Sequence, residues 1–134
     1  MKLLKRTRNR VEYTGVPSTL ELERARVDMK TRKGIGVASN QLGYNNRWAL
    51  VKDHTYLNPE LISMSRERMW SLEGCLSVVG LFWMHRSLEV TVSYEDDKGN
   101  VTIRNMKGED ALIFQHEIDH LNGKMITSGK ELRN

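Results

Sequence analysis

The sequence predicts an α+β fold in which largely antiparallel sheets pack around a central metal-binding helix. Three stretches predict it. Leu88, Val90, Val92 and Tyr94 alternate with Glu89, Thr91, Ser93 and Glu95, Asp97-Lys98-Gly99-Asn100 makes a turn, and Val101-Thr102-Ile103-Arg104 returns, the pattern of a β-hairpin. Ahead of it, Ser18-Thr19-Leu20-Glu21 after Pro17 has the spacing of a capping box and starts a helix. Late in the chain, Ala111, Leu112, Ile113, Phe114, Ile118 and Leu121 can bury one side of a second helix that contains Gln115-His116-Glu117-Ile118-Asp119-His120.

In chain order, the first helix should run to about Lys33, stop at Gly34 and cover one side of the sheet. Trp48-Ala49-Leu50-Val51 reads as a strand, and Asn58-Pro59 as the end of another short one. Glu60 to Trp70 leads into a loop bearing Cys75. Gly108 should break the hairpin's second strand, Glu109 or Asp110 cap the late helix, and Gly123 end it. Lys124 to Asn134 is too short for a further long helix. His54 and His85 read as ordinary strand and turn residues, and Trp48, Trp70 and Trp83 as core or pocket lining.

With 134 residues and no internal repeat, one domain over 1–134 is expected, as a monomer. No apolar run could cross a bilayer, and the opening Met1 to Arg6 loses its apolar character too early for a signal peptide. A single cysteine allows no intramolecular disulfide, so a reducing, cytoplasmic setting is expected. The net charge is +4, with Lys2, Lys5, Arg6, Arg8 and Arg10 crowded at the start. Glu12, Glu21, Glu23 and Asp28 are interleaved with the later basic residues, which favours a solvated face over a dedicated nucleic-acid site.

The chemistry concentrates at the late helix. Residues four apart on a helix point nearly the same way, so His116 and His120 can converge on one cation. Glu117 projects aside, free to act as a base without ligating the metal. A catalytic site needs a third ligand, for which Cys75 in Glu73-Gly74-Cys75-Leu76-Ser77 is the best candidate; a lone cysteine can equally be a small buried hydrophobe. Gly34-Ile35-Gly36-Val37-Ala38-Ser39-Asn40-Gln41 lacks the ending of a phosphate loop. It reads either as an edge that accepts a peptide as an added strand, with Gln41 donating its amide, or as a glycine-rich turn with an exposed glutamine.

These three segments, in this order, resemble the peptide deformylases, whose GxGxAAxQ-like, EGCLS and HExDH motifs they match. The resemblance runs from about Gly34 to Gly123; the earlier residues match only in forming a helix. Ser39, Val79 and Ser87 depart from the family's usual alanine and prolines, which alters a substrate-side loop from Val79 to His85. The resemblance implies removal of the formyl group from N-formylmethionyl nascent peptides, an N-terminal processing step of protein biosynthesis. It implies a divalent metal held by Cys75, His116 and His120, with Fe2+ as the physiological ion and Ni2+, Co2+ or Zn2+ able to replace it. Glu117 would be the base, and the Gln41 amide and Leu76 N–H would stabilise the oxyanion. The peptide would pair with the backbone of Ile35, Gly36 and Gly74, its methionine near Leu112 and Ile113, which are as readily plain core. Glu73, Arg86 and Asp119 would form a charge network behind the ligands. The short C-terminus resembles compact bacteriophage forms; a ribosome-docking tail is not carried over, although ribosome proximity would follow from the substrate. Two other readings remain: a different HExxH peptidase or amidase, and a basic RNA- or ribosome-binding module with a structural metal.

Overall fold

Among the described residues every strand pairing is antiparallel, and the strands form two sheets that share one helix between them. The computed structural model describes residues 3–132; Lys2 of the basic opening lies outside them. Helix α1 spans Thr19–Thr31, followed by β1 (Gly36–Ala38), β2 (Trp48–Val51), β3 (His54–Met64), β4 (Arg68–Cys75) and β5 (Val78–Ser87). Then come β6 (Glu89–Glu95), β7 (Val101–Lys107), α2 (Gly108–Leu121) and β8 (Lys130–Glu131). One sheet has the order β1-β2-β3-β6-β7, the other β4-β5-β8. This is the expected α+β arrangement.

Helix α2 buries Ala111, Phe114, Ile118 and Leu121 against Ala49, Val51, Val90 and Val92 of the larger sheet. Tyr56 meets Phe114 edge-on at 5.2 Å. On the opposite face, Ala25 and Met29 of α1 pack against Val37, Trp48 and Leu50. Strand β2 is therefore covered on both faces, which explains its unbroken apolar run. Each large apolar side chain buried this way contributes about 2 kcal/mol, so packing fixes α2 more firmly than helix propensity does.

The punctuation of the chain differs from the expectation at several points. Ser18 does cap α1, accepting from Glu21 N–H at 3.1 Å. At the other end Lys33, not Gly34, takes the left-handed conformation (φ 58°), and Gly34 N–H closes the turn onto Met29 O at 2.9 Å. Gly34 answers to space instead, since a Cβ there would lie 2.9 Å from Leu76 Cδ1. Asn58-Pro59 does not end a strand. β3 runs through it by a register shift between Leu57 and Glu60, a bulge that spares proline the ladder bond it cannot make.

The cysteine stands at the end of a strand rather than in a loop, and Val79 to His85 is strand β5. Neither Glu109 nor Asp110 caps α2. Lys107 is the N-cap, without a side-chain bond, and both carboxylates sit in the first turn, each 2.9 Å from Lys52 Nζ, where the helix dipole favours negative charge. Gly123 ends α2 as expected, with φ 81°. Trp48 is core, but Trp70 is 59 % exposed and stacks on His85.

Candidate metal centre and its cleft

Strand β4 and helix α2 bring three donor atoms together. Cys75 Sγ lies 3.2 Å from His120 Nε2, which lies 3.1 Å from His116 Nε2. All three lie within 4.8 Å of one another. The distances follow from α2, whose i and i+4 side chains share a face, and from the pairing of β4 with β5, which ends at Cys75.

The far nitrogen of each ring is held differently. His116 Nδ1 faces Glu73 Oε1 at 2.9 Å. Arg86 grips the same carboxylate with two bonds, Nη2 to Oε1 at 2.7 Å and Nε to Oε2 at 3.0 Å, and its third nitrogen reaches Asp119. Glu73, Arg86 and Asp119 thus form one charge network behind His116. His120 Nδ1 instead meets Thr7 Oγ1 at 3.0 Å. That hydroxyl lies 3.2 Å from Lys124 O; when it donates there it must accept from Nδ1–H, leaving the His120 Nε2 lone pair pointing at Cys75.

Burial and neighbouring charge shift the two imidazoles in opposite directions. Burial works to lower His116, but its contacts with Cys75 and Glu73 outweigh that and raise it to about 10. Burial and the neighbouring His116 push His120 down to about 3. Burial would raise Glu73, yet its bonds to Arg86 and His116 hold it at about 2. One thiolate-capable sulfur and two imidazole nitrogens, oriented by partners on their far sides, are a donor set that fits a divalent transition metal.

Glu117 is 4 % exposed, and its Oε1 has no hydrogen-bond partner. Burial, with Glu73 and Asp119 adding to it, pushes its carboxyl up to about 7. Gly36 makes the space: a Cβ there would collide with Glu117 Oε2. Gln41 is buried rather than exposed, which removes the reading of a solvent-facing turn. Its Oε1 accepts from Ala38 N–H at 2.9 Å, and its Nε2 donates to Ser77 Oγ at 3.0 Å and sits 3.5 Å from Cys75 Sγ.

A cleft of about 420 Å³ opens over these groups. Ile35, Gly36, Gly74, Leu76, Leu112 and Ile113 all line it. Ile113 also belongs to the core, so it packs inside while lining the cleft. Lys52 N–H donates to Ile35 O at 2.7 Å, and alternation along the strand then turns the backbone groups of Gly36 to the open edge of β1.

Two participants had no role assigned from the sequence: Ser77 stands inside the Glu73-to-Ser77 segment, and Thr7 lies in no motif. Ser77 fixes the Gln41 amide and donates to Lys5 O at 2.6 Å; Thr7 orients His120. Both depend on the N-terminal segment, where Leu4 N–H bonds to Leu76 O and Lys5 N–H to Gln41 O. Residues 4–7 thereby strap all three motifs together, although this stretch reads in sequence as a solvated basic opening.

The model of the Polypeptide deformylase family matches residues 4–131. This chain belongs to the peptide deformylase family. The match takes in the N-terminal strap as well as the three motifs. The peptide deformylase of Thermotoga neapolitana is 34% identical over 110 residues, covering 78% of this chain and 67% of that protein. The crystal structure of Plasmodium falciparum peptide deformylase superposes with a TM-score of 0.88 at 28% identity, covering 96% of this chain and 84% of that one. The actinonin complex of the enzyme from the Vibrio parahaemolyticus bacteriophage VP16T gives 0.77 at 30% identity, covering 93% and 99%. Among the described residues no helix is long and apolar enough to cross a membrane.

Proposed function

We propose that this chain removes the formyl group from N-formylmethionyl peptides, releasing formate and a free N-terminus. The observation that carries the proposal is the convergence of Cys75, His116 and His120 beside the buried Glu117 carboxylate, whose Oε1 has no partner, in the lining of the cleft. Cys75 Sγ, His116 Nε2 and His120 Nε2 would hold the metal, with Fe2+ first and Ni2+, Co2+ or Zn2+ able to take its place. The ion supplies Lewis acidity, lowering the pKa of water and polarising the formyl carbonyl.

The protein does the rest. Glu117 takes a proton from the attacking water and returns it to the leaving amine, a role suited to a carboxylate that is buried yet lines the cleft. The Gln41 amide, held by Ala38 N–H and Ser77, and the Leu76 N–H stabilise the developing oxyanion; one such donor is typically worth about 3 kcal/mol. The peptide adds as a strand beside Ile35 and Gly36 and against Gly74, with its methionine between Leu112 and Ile113. Glu73, Arg86 and Asp119 keep His116 in place.

Formate release from formyl-Met-Ala-Ser and acetate release from acetyl-Met-Ala-Ser, each by nickel-loaded protein, test this reading. Strong preference for the formyl peptide is expected. Equal turnover of the two, or cleavage of an internal amide, would favour a general HExxH amidase instead.

A further inference from the structure

The three-stranded sheet has one face in use and one bare. Cys75 and Glu73 point to the metal centre, Arg86 reaches Glu73 from the same side, and Phe82 and Met84 are buried there. On the other face, strand pairing sets Trp70 opposite His85, Leu72 opposite Trp83, and Trp83 opposite Lys130. Trp70, Trp83 and Lys130 line one shallow depression.

Three properties of this face bear on what covers it. Trp70 is 59 % exposed and Leu72 41 %, so two large apolar side chains two residues apart on β4 meet water on one face. The Trp70 and His85 rings stack at 4.7 Å with 19° between their planes, which holds the indole in one orientation and lowers the ordering cost of a further stack. Among the described residues the outward charges are basic: Arg68 precedes Trp70 on the same side of β4, Lys130 lies on β8, and neither is in an ion pair. The nearest β8 carboxylate, Glu131, pairs with Phe82 on the opposite face.

We propose that this face binds single-stranded RNA, with bases stacking on Trp70 and Trp83 and phosphates meeting Lys130 and Arg68. Flat aromatic side chains on a sheet, bordered by cations, are how unpaired bases are held without sequence preference. A second copy of the chain would bring Lys130 and Arg68 against their own kind, which charge complementarity disfavours. Leu72 belongs both to this face and to the cleft lining, so RNA held here lies beside the cleft mouth.

The test is fluorescence anisotropy of a labelled oligo(U) with the nickel-loaded full chain, at low and moderate salt. Binding that weakens with salt is expected. Trp70→Ala should weaken it roughly five- to a hundred-fold, the range for one lost base stack, and Trp70→Phe should restore most of it. Lys130→Glu should weaken binding, whereas Lys98→Glu in the distant β6–β7 turn should not. Formate release from the tripeptide should be unchanged in Trp70→Ala, which separates this proposal from the hydrolytic one. No binding to oligo(U), equal binding by Trp70→Ala, or equal loss in Lys98→Glu would overturn it. Preference for phosphatidylglycerol vesicles, or a dimer abolished by Trp70→Ala without RNA binding, would overturn it as well.

Discussion

His116 and His120 stand one helical turn apart, yet one is held by charge and the other by a neutral hydroxyl. Behind His116 lies the Glu73–Arg86–Asp119 network, whose groups all come from β4, β5 and α2. Behind His120 lies Thr7, from a segment 113 residues away in sequence. The difference teaches that a site's ligands can be written in compact motifs while half of their orientation is supplied by a strap with no motif at all.

The largest effect is expected on the charged side. Arg86→Met leaves the buried Glu73 carboxylate without its bidentate partner, and breaking such a pair costs about 3–5 kcal/mol. Denaturant unfolding of the metal-free and metal-loaded forms measures it; unchanged stability, metal affinity and activity together would remove the network from the account. On the neutral side, Thr7→Val strands His120 Nδ1 and should cost about 1–3 kcal/mol. Loss of such an outer partner typically lowers metal affinity about 10–100-fold, read by competition with a chelating dye, and Thr7→Ser should recover it.

Acid separates the two supports further. The Glu73 carboxyl is held at about 2, below its ordinary 4.5, so its stabilisation is complete above pH 4.5 and is lost as pH falls through 2. Thr7 exchanges no proton. Thr7→Val should therefore keep the parent's acid-unfolding slope, and Glu73→Gln should flatten it in that window. The smallest effect belongs to Ser77→Ala, which frees one side of the Gln41 amide while Ala38 N–H still holds the other. Its loss of kcat should stay well below the roughly 10²-fold of removing an oxyanion donor, with little change in KM.

The same contrast explains what could be read from the sequence. Alternation over Leu88 to Tyr94, the capping box at Ser18 and the apolar positions of α2 are local patterns, and each matches an element of the structure. The donor atoms that meet at Cys75, His116 and His120 are likewise local on β4 and α2. Signals that depend on distant neighbours were misread or silent. Gly34 yields to Leu76, Pro59 is absorbed by a bulge, and Thr7 works only because the strap crosses all three motifs. Trp70 misled differently, since an aromatic in an alternating strand gives no sign of which face is bare.

The central claim is that Glu117 is the proton carrier beside a Cys75/His116/His120 metal. Formate release from formyl-Met-Ala-Ser, by anaerobically purified parent and Glu117→Ala proteins matched for nickel content, tests it most directly. A fall in kcat of about 10²–10⁴-fold at equal metal content is predicted. Equal turnover by the two proteins, or a parent that binds one metal and releases no formate, would contradict the account.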